Sequence, residues 1–245
     1  MINIDINCDL GEGIGNEALI MPLISSCNIA CGGHAGDNGT MIQVARLAKE
    51  HRVLVGAHPS YPDRENFGRT TINISEKDLK KSILVQIGNL SLVLKSLGIR
   101  LNHIKPHGAL YNDIAKDRKL AMVFLNCIEE YKKDVHLYVP YHSIIEEEAI
   151  HSGFSVKYEA FADRNYNPDL SLVSRKESAA LIQEPKAVLD HILHMIRKGT
   201  VLTWSGKEAK IKADTYCIHG DSPATLQILM YLSQQLPKNQ ILIKK

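Results

Sequence analysis

Ile2-Asn3-Ile4-Asp5-Ile6-Asn7-Cys8-Asp9 opens the chain with strict alternation, so that in an extended strand Ile4 and Ile6 fall on one side and Asp5, Asn7 and Asp9 on the other. Outward from this stretch, short apolar runs alternate with longer helical patterns, and no Ser/Pro/Gly-rich linker interrupts them. Such alternation predicts parallel strands joined by crossover helices. The predicted strands are Ile2 to Asp9, Cys27 to Cys31, Val53 to His58, Asn102 to His107, His136 to Pro140, Val156 to Asp163, Val201 to Trp204 and Tyr216 to His219. Seven or eight β-α units of this size favour a closed α/β barrel over an open doubly wound sheet, and residues 1–245 read as a single domain.

The intervening helices carry start and stop signals. Ser75-Glu76-Lys77-Asp78 reads as a capping box opening a long amphipathic helix that stops at Gly98. Pro185 suits a first helical position and Gly199 the left-handed residue after the same helix. Ser222-Pro223 reads as the cap and first turn of a last helix, Ala224 to Leu236.

Composition narrows the function classes. With 44% hydrophobic and 23% charged residues the chain can bury a sizeable core. Its net charge is +2 and its basic residues are scattered, which argues against a nucleic-acid or membrane-surface footprint. The N-terminus does not read as a signal peptide, and no apolar run approaches the ~20 residues that span a bilayer, so a cytoplasmic location is expected. Five cysteines without CxxC spacing read as buried reduced thiols.

In either architecture ligands bind outside the carboxyl ends of the strands. Strand parity groups Asp5, Asn7 and Asp9 on one face, Lys105 with His107, Glu159 with Asp163, and His219 beside Asp221, while His58 ends its own strand. Buried charges demand partners, so several such faces together predict a lined pocket. Of eleven histidines, His34, His58, His107 and His219 have this context; His51, His103, His136, His142, His151, His191 and His194 read as surface or structural. Gly11-Glu12-Gly13-Ile14-Gly15-Asn16 lacks the third glycine of a dinucleotide fingerprint, and no P-loop, GxSxG or HExxH occurs. Asp and His residues at strand ends can still hold a hydrolytic metal, although the spacing that would decide it is absent.

Taken together, Asn7-Cys8-Asp9-Leu10-Gly11-Glu12, Asn28-Ile29-Ala30-Cys31-Gly32-Gly33-His34-Ala35-Gly36-Asp37, Gly56-Ala57-His58-Pro59-Ser60-Tyr61-Pro62-Asp63, Lys105-Pro106-His107-Gly108-Ala109-Leu110-Tyr111-Asn112, Glu159-Ala160-Phe161-Ala162-Asp163-Arg164 and His219-Gly220-Asp221 closely resemble the motifs of the LamB/YcsF, or lactam-utilisation, family. The likeness runs from the first strand to the last helix. It implies a seven-stranded (β/α) barrel of the glycoside hydrolase/deacetylase type. It also implies ATP-dependent opening of 5-oxoproline to L-glutamate, performed with 5-oxoprolinase subunits B and C as partners. ATP with Mg²⁺ as its counter-ion is the implied cofactor, and no other metal is expected. Two departures from the family pattern are visible: Gly33 stands where many members carry phenylalanine, and Leu170 replaces a frequent glycine.

A five-membered lactam is a resonance-stabilised amide whose ring closes readily, because amine and carboxylate are tethered at high effective concentration. Phosphorylating the lactam oxygen would turn it into an electrophile that water attacks. Reading the strands face by face centres the expected catalytic set on Asp9, His58, Lys105, His107, Glu159, Asp163 and His219. Lys105, with Arg69 or Arg164, would hold the substrate carboxylate or phosphate. Asp9, Glu159 or Asp163 would serve as general base, and His58, His107 or His219 would move protons or stabilise the oxyanion. Asn7, Glu12, Asn28, His34, Asp37, Arg69, Tyr111, Arg164 and Asp221 complete the expected substrate and phosphate contacts, with Asp37 and Asp221 also suited to Mg²⁺. Two rival readings are a metal-dependent hydrolase or deacetylase on the same barrel, and a non-catalytic subunit that binds a small ligand and regulates its partners.

Overall fold

The computed structural model describes all residues from Met1 to Lys245. Its strands are β1 (Ile2–Leu10), β2 (Ser26–Ala30), β3 (Leu54–His58), β4 (Leu101–Ile104), β5 (His136–Pro140), β6 (Ser155–Phe161), β7 (Thr200–Leu202), β8 (Glu208–Lys210), β9 (Thr215–Ile218) and β10 (Ile241–Ile243). The helices are α1 (Glu17–Ile20), α2 (Asn38–His51), α3 (Glu76–Ser96), α4 (Gly108–Ile114), α5 (Arg118–Cys127), α6 (Ile144–His151), α7 (Pro185–Lys198) and α8 (Thr225–Gln235). Strands β1 to β6 follow one another in parallel, and β9 closes the ring by pairing with both β6 and β1. The result is the seven-stranded (β/α) barrel that the resemblance implies. No helix is long and apolar enough to cross a membrane.

Parity sorts the side chains of each strand. Ile6, Cys8, Ile29, Val55, Ala57 and Ile104 belong to the continuous apolar core, together with helix residues such as Val44, Ile87, Phe124 and Leu229. The opposite parity carries Asp5, Asn7, Asp9, Asn28, His103, Glu159 and Thr215, all buried as well. A barrel interior is ordinarily packed with branched aliphatic side chains; here polar groups replace them and satisfy one another. Thr215 and Ser26 both donate to Asp5 Oδ1, at 2.6 and 2.8 Å. His103 stacks on Tyr138 with ring centroids 4.0 Å apart and reaches Asn28 Oδ1 through Nε2 at 2.7 Å. Gly56 makes room for it, since a Cβ there would collide with the His103 ring.

The helix signals hold with small shifts. Ser75 Oγ accepts from Asp78 N at 3.1 Å and α3 ends two residues before Gly98, whose φ is +64°. Gly199 adopts φ +65° after α7. The last helix starts at Thr225 rather than Ala224, while Ser222 Oγ accepts from Ala224 N.

Three strand expectations need correction. Val201 to Trp204 is no barrel strand: β7 pairs antiparallel with β8 outside the ring, with Val201 buried but Leu202 and Trp204 exposed. A short apolar run such as Val201-Leu202 does not by itself tell a buried barrel strand from one arm of a surface hairpin. Second, β10 pairs with Ile2 to Ile4 of β1 and has no counterpart in the predicted set. Third, β4 ends at Ile104 although the chain stays extended: Lys105 N and His107 N still donate to Ala57 and Pro59 carbonyls, but Pro106 has no N–H to offer.

Between β6 and α7 the chain makes a long excursion across the mouth of the barrel, pinned by bridges Arg164 to Leu181 and Tyr166 to Leu172. Leu170 sits in this excursion at φ +65°, the left-handed region that favours glycine, which accounts for the glycine common at that place in the family. Gly33 is the reverse case: a Cβ there would strike the Ser60 and Gln86 side chains, so a phenylalanine has no room in this packing.

Candidate active site

The carboxyl ends of the barrel strands meet at a cavity of about 450 Å³ whose wall includes Asp9, His58, Lys105, His107, Phe161 and His219. A second space of about 250 Å³ adjoins it, sharing Tyr111 and Phe161 and adding Glu159.

Lys105 stands at the base. Its Nζ lies 2.9 Å from Asp9 Oδ1, 2.9 Å from Glu159 Oε1, 3.3 Å from Asn7 Oδ1 and 3.0 Å from Cys217 Sγ. Burial opposes its charge, but Asp9, Cys217 and Glu159 outweigh that and hold the ammonium well above the ordinary lysine range. Burial likewise raises Asp9, yet its neighbours His58 and Lys105 win and hold the carboxylate well below its usual value. Asn28 Nδ2 donates to both Asp9 Oδ1 and Asn7 Oδ1 at 2.7 Å, and Asn7 Nδ2 donates to Glu159 Oε1 at 3.0 Å. The asparagines therefore orient the ions by neutral hydrogen bonds. For Cys217 burial prevails over Lys105 and pushes the thiol up, so it is a protonated donor or acceptor and no thiolate nucleophile.

His219 and Asp163 form a dyad on one wall. Asp163 accepts from the His219 backbone N–H and from Nδ1, both at 2.9 Å. Burial raises Asp163, but His219 by charge and by hydrogen bonding brings it below its ordinary value. With Nδ1 committed, Nε2 is the ring nitrogen of His219 left for chemistry. Tyr111 Oη and Glu159 Oε2 are buried without hydrogen-bond partners, and both residues line the smaller space. Burial and the Glu159 carboxylate push the Tyr111 phenol up, which leaves it a donor.

Glu12, His34, His58 and His107 gather beside Asp9. Glu12 Oε1 is 2.9 Å from His34 Nε2, 3.5 Å from His107 Nδ1 and 3.9 Å from His58 Nε2. Burial and the Asp9 carboxylate push Glu12 up to about 7, while burial, with His58 as its neighbour, pushes His34 down to about 2.

The remaining expected contacts divide. Arg69 lies on the rim over the Phe67 ring, paired with Asp221, to which Arg175 is also near at 3.9 Å. Arg164 lines the cavity, but its guanidinium donates to the Ala180 and Val173 carbonyls at 3.1 and 2.6 Å, so it clamps the long excursion. Asp37 stands outside the cluster: it is exposed and caps α2, accepting from Thr40 N at 2.8 Å. Sequence reasoning misses the caging residues His103, Thr215 and Cys217 as members of the site. Their signal is parity, since His103 precedes Lys105 by two residues and Cys217 precedes His219 by two. The rim cations Lys116, Arg175 and Lys176 have no sequence signal beyond their charge.

Fold and site together define a (β/α)-barrel protein of the enzyme type, with a buried lysine-carboxylate centre at the carboxyl ends of its strands. The family model of the LamB/YcsF family matches residues 4–245, and the chain belongs to that family. It is 40% identical over 245 residues to the A-subunit of 5-oxoprolinase from Staphylococcus aureus strain MRSA252, with 98% of each chain covered. To the corresponding 5-oxoprolinase A-subunit of Thermococcus sibiricus it is 40% identical over 247 residues, covering 99% of this chain and 97% of the other. The crystal structure of a lactam utilization protein from Thermus thermophilus superposes with a TM-score of 0.89 at 35% identity, with 99% of both chains covered.

Proposed function

We propose that this chain is the lactam-handling component of an ATP-dependent 5-oxoprolinase, opening 5-oxoproline to L-glutamate together with subunits B and C. The observation that carries the reading is 40% identity along essentially the whole chain to relatives of that name, combined with a buried charged centre set beneath a cationic rim. ATP phosphorylates the lactam oxygen and leaves as ADP. A first water adds to the activated carbon and the ring C–N bond breaks as the nitrogen takes up a proton, which leaves the γ-carboxyl as an acyl phosphate. A second water hydrolyses that acyl phosphate to the glutamate carboxylate and free phosphate.

Several groups suit these steps. Arg69, Arg175, Lys116 and Lys176 supply positive charge where the substrate carboxylate and the phosphates enter. Because no P-loop is present, these side chains, rather than a glycine-rich loop, are the phosphate contacts available on this chain. Lys105 fixes Asp9 and Glu159 on the floor, and Tyr111 Oη and Glu159 Oε2 offer an unspent donor and acceptor to the ring. His219, aligned by Asp163, takes the proton of the attacking water and returns one to the leaving nitrogen. Asp221 remains the rim carboxylate suited to Mg²⁺, whereas Asp37 is committed to its helix.

The test is to combine the chain with its B and C subunits, supply 5-oxoproline and ATP, and measure glutamate and ADP. Both should appear in equal amounts; no glutamate from the assembled complex would discredit the assignment. The Glu12 and histidine cluster favours one other reading, metal-dependent hydrolysis of an amide or ester without ATP. Turnover that persists when ATP is omitted would select it.

A further inference from the structure

We infer that Glu12, His34, His58 and His107 form a binding site for one divalent transition metal of the zinc type, a site that the lactam reading neither requires nor supplies.

The first support is hydrogen accounting. His58 Nδ1 lies 2.7 Å from the Lys105 carbonyl and His107 Nε2 lies 2.9 Å from the Phe67 carbonyl. Carbonyl oxygens only accept, so each ring spends its N–H there. The two remaining nitrogens, His58 Nε2 and His107 Nδ1, then present lone pairs to one another at 2.9 Å. Glu12 Oε1 adds a third acceptor close to both. Facing lone pairs in a buried place repel unless a positive centre lies between them. Imidazoles whose outer N–H is held by a backbone carbonyl are also the usual arrangement around a bound metal.

The second support is geometry. A tetrahedral ion with bonds of about 2.0–2.2 Å to nitrogen and oxygen places its ligand atoms roughly 3.4 Å apart. Glu12 Oε1 is 2.9, 3.5 and 3.9 Å from the three ring nitrogens, and all four ligand atoms lie within 4.8 Å of one another. They come from the ends of four successive strands or the loops just beyond, which makes the set rigid. His34 is further fixed by stacking flat on His107, with centroids 3.6 Å apart. Its Nδ1 is buried and unpartnered, so its Nε2 is the atom turned to the cluster. Three imidazoles and one carboxylate suit zinc or a neighbouring transition ion and do not suit Mg²⁺, which takes oxygen ligands. The site adjoins the catalytic floor, because Asp9 Oδ2 is 3.5 Å from His58 Nε2.

The experiment is metal content, measured by mass spectrometry on the full chain purified without a polyhistidine tag. About one zinc-type ion per chain is expected, dropping to background in His58→Gln and Glu12→Gln, while rim variant Lys176→Ala keeps its full content. A readout on the unmodified chain guards against variants that fail to fold. After chelator treatment, Co²⁺ should give the intense visible bands of a tetrahedral site, and Zn²⁺ should raise the melting temperature. No retained metal, no cobalt spectrum and no thermal shift would overturn the inference and leave a proton shared between His58 and His107. None of these measurements involves lactam turnover, so loss of the 5-oxoprolinase reading would leave the metal inference standing, and the reverse.

Discussion

The Lys105 ammonium is 2.9 Å from Asp9 Oδ1, and both side chains are sealed from solvent, at 2% and 4% exposure. One cation thus faces two carboxylates, since Glu159 Oε1 is equally close. Its removal would leave two buried carboxylates without the cation that pairs them.

Lys105→Met is therefore expected to lower unfolding stability by about 3–5 kcal/mol, the usual cost of breaking a buried ion pair from one side. Adding Glu159→Gln should restore part of it, because only one uncompensated charge then remains. Urea unfolding of both variants checks this. A single variant as stable as the parent would show that water, not Lys105, solvates Asp9.

Gly56→Ala is expected to destabilise by roughly 1–3 kcal/mol, the typical penalty for overpacking a filled interior. Its Cβ would enter the His103 ring, which is pinned between Tyr138 and Asn28. In the His103→Ala background the same substitution should cost much less. A double-mutant cycle by thermal unfolding measures the difference, and additive effects would place the strain elsewhere.

These interior residues also mark how far the sequence is legible. Parity along Ile2 to Asp9 and along Lys105 to His107 correctly predicts which side chains meet at the barrel mouth, because a strand has only two faces. Parity says nothing about distance from the site in a loop. Asp37 sits in a motif beside His34, yet turns outward to cap α2, since helix N-termini compete for the same carboxylates that ligands need. Arg164 is likewise consumed by carbonyls of the excursion it clamps. Hairpin β7–β8 reads as a barrel strand because a short apolar run does not reveal whether both of its faces are covered.

Arg69→Ala is expected to raise KM for 5-oxoproline or ATP about tenfold in the assembled complex, with little change in melting temperature. Arg69 is one-third exposed and its pair with Asp221 is on the rim, where ion pairs contribute about 0–1 kcal/mol to stability. Steady-state kinetics beside a melting curve separates the two effects. A drop in kcat at unchanged KM would move Arg69 from binding to the chemical step.

Asp163→Asn is expected to reduce kcat by about 10²–10⁴-fold, the range for losing aligned general acid–base catalysis. The amide can present its NH₂ where Asp163 Oδ1 now accepts from His219 Nδ1, so the ring loses the partner that fixes its tautomer. The same substitution has an acid-stability consequence whose sign follows from the lowered pKa. Asp163 titrates below its ordinary 3.8 in the folded state, so it binds fewer protons there than in the unfolded chain. The stability it contributes is complete above the unfolded value and drains away as pH falls through 3.8 toward the folded one. In denaturation curves taken from neutral pH downward, the parent should therefore lose stability more steeply than Asp163→Asn in that acid window. Parallel curves would mean that the carboxylate gains nothing from His219 on folding; a kcat loss at neutral pH would then have to come from something other than ionic alignment of the ring.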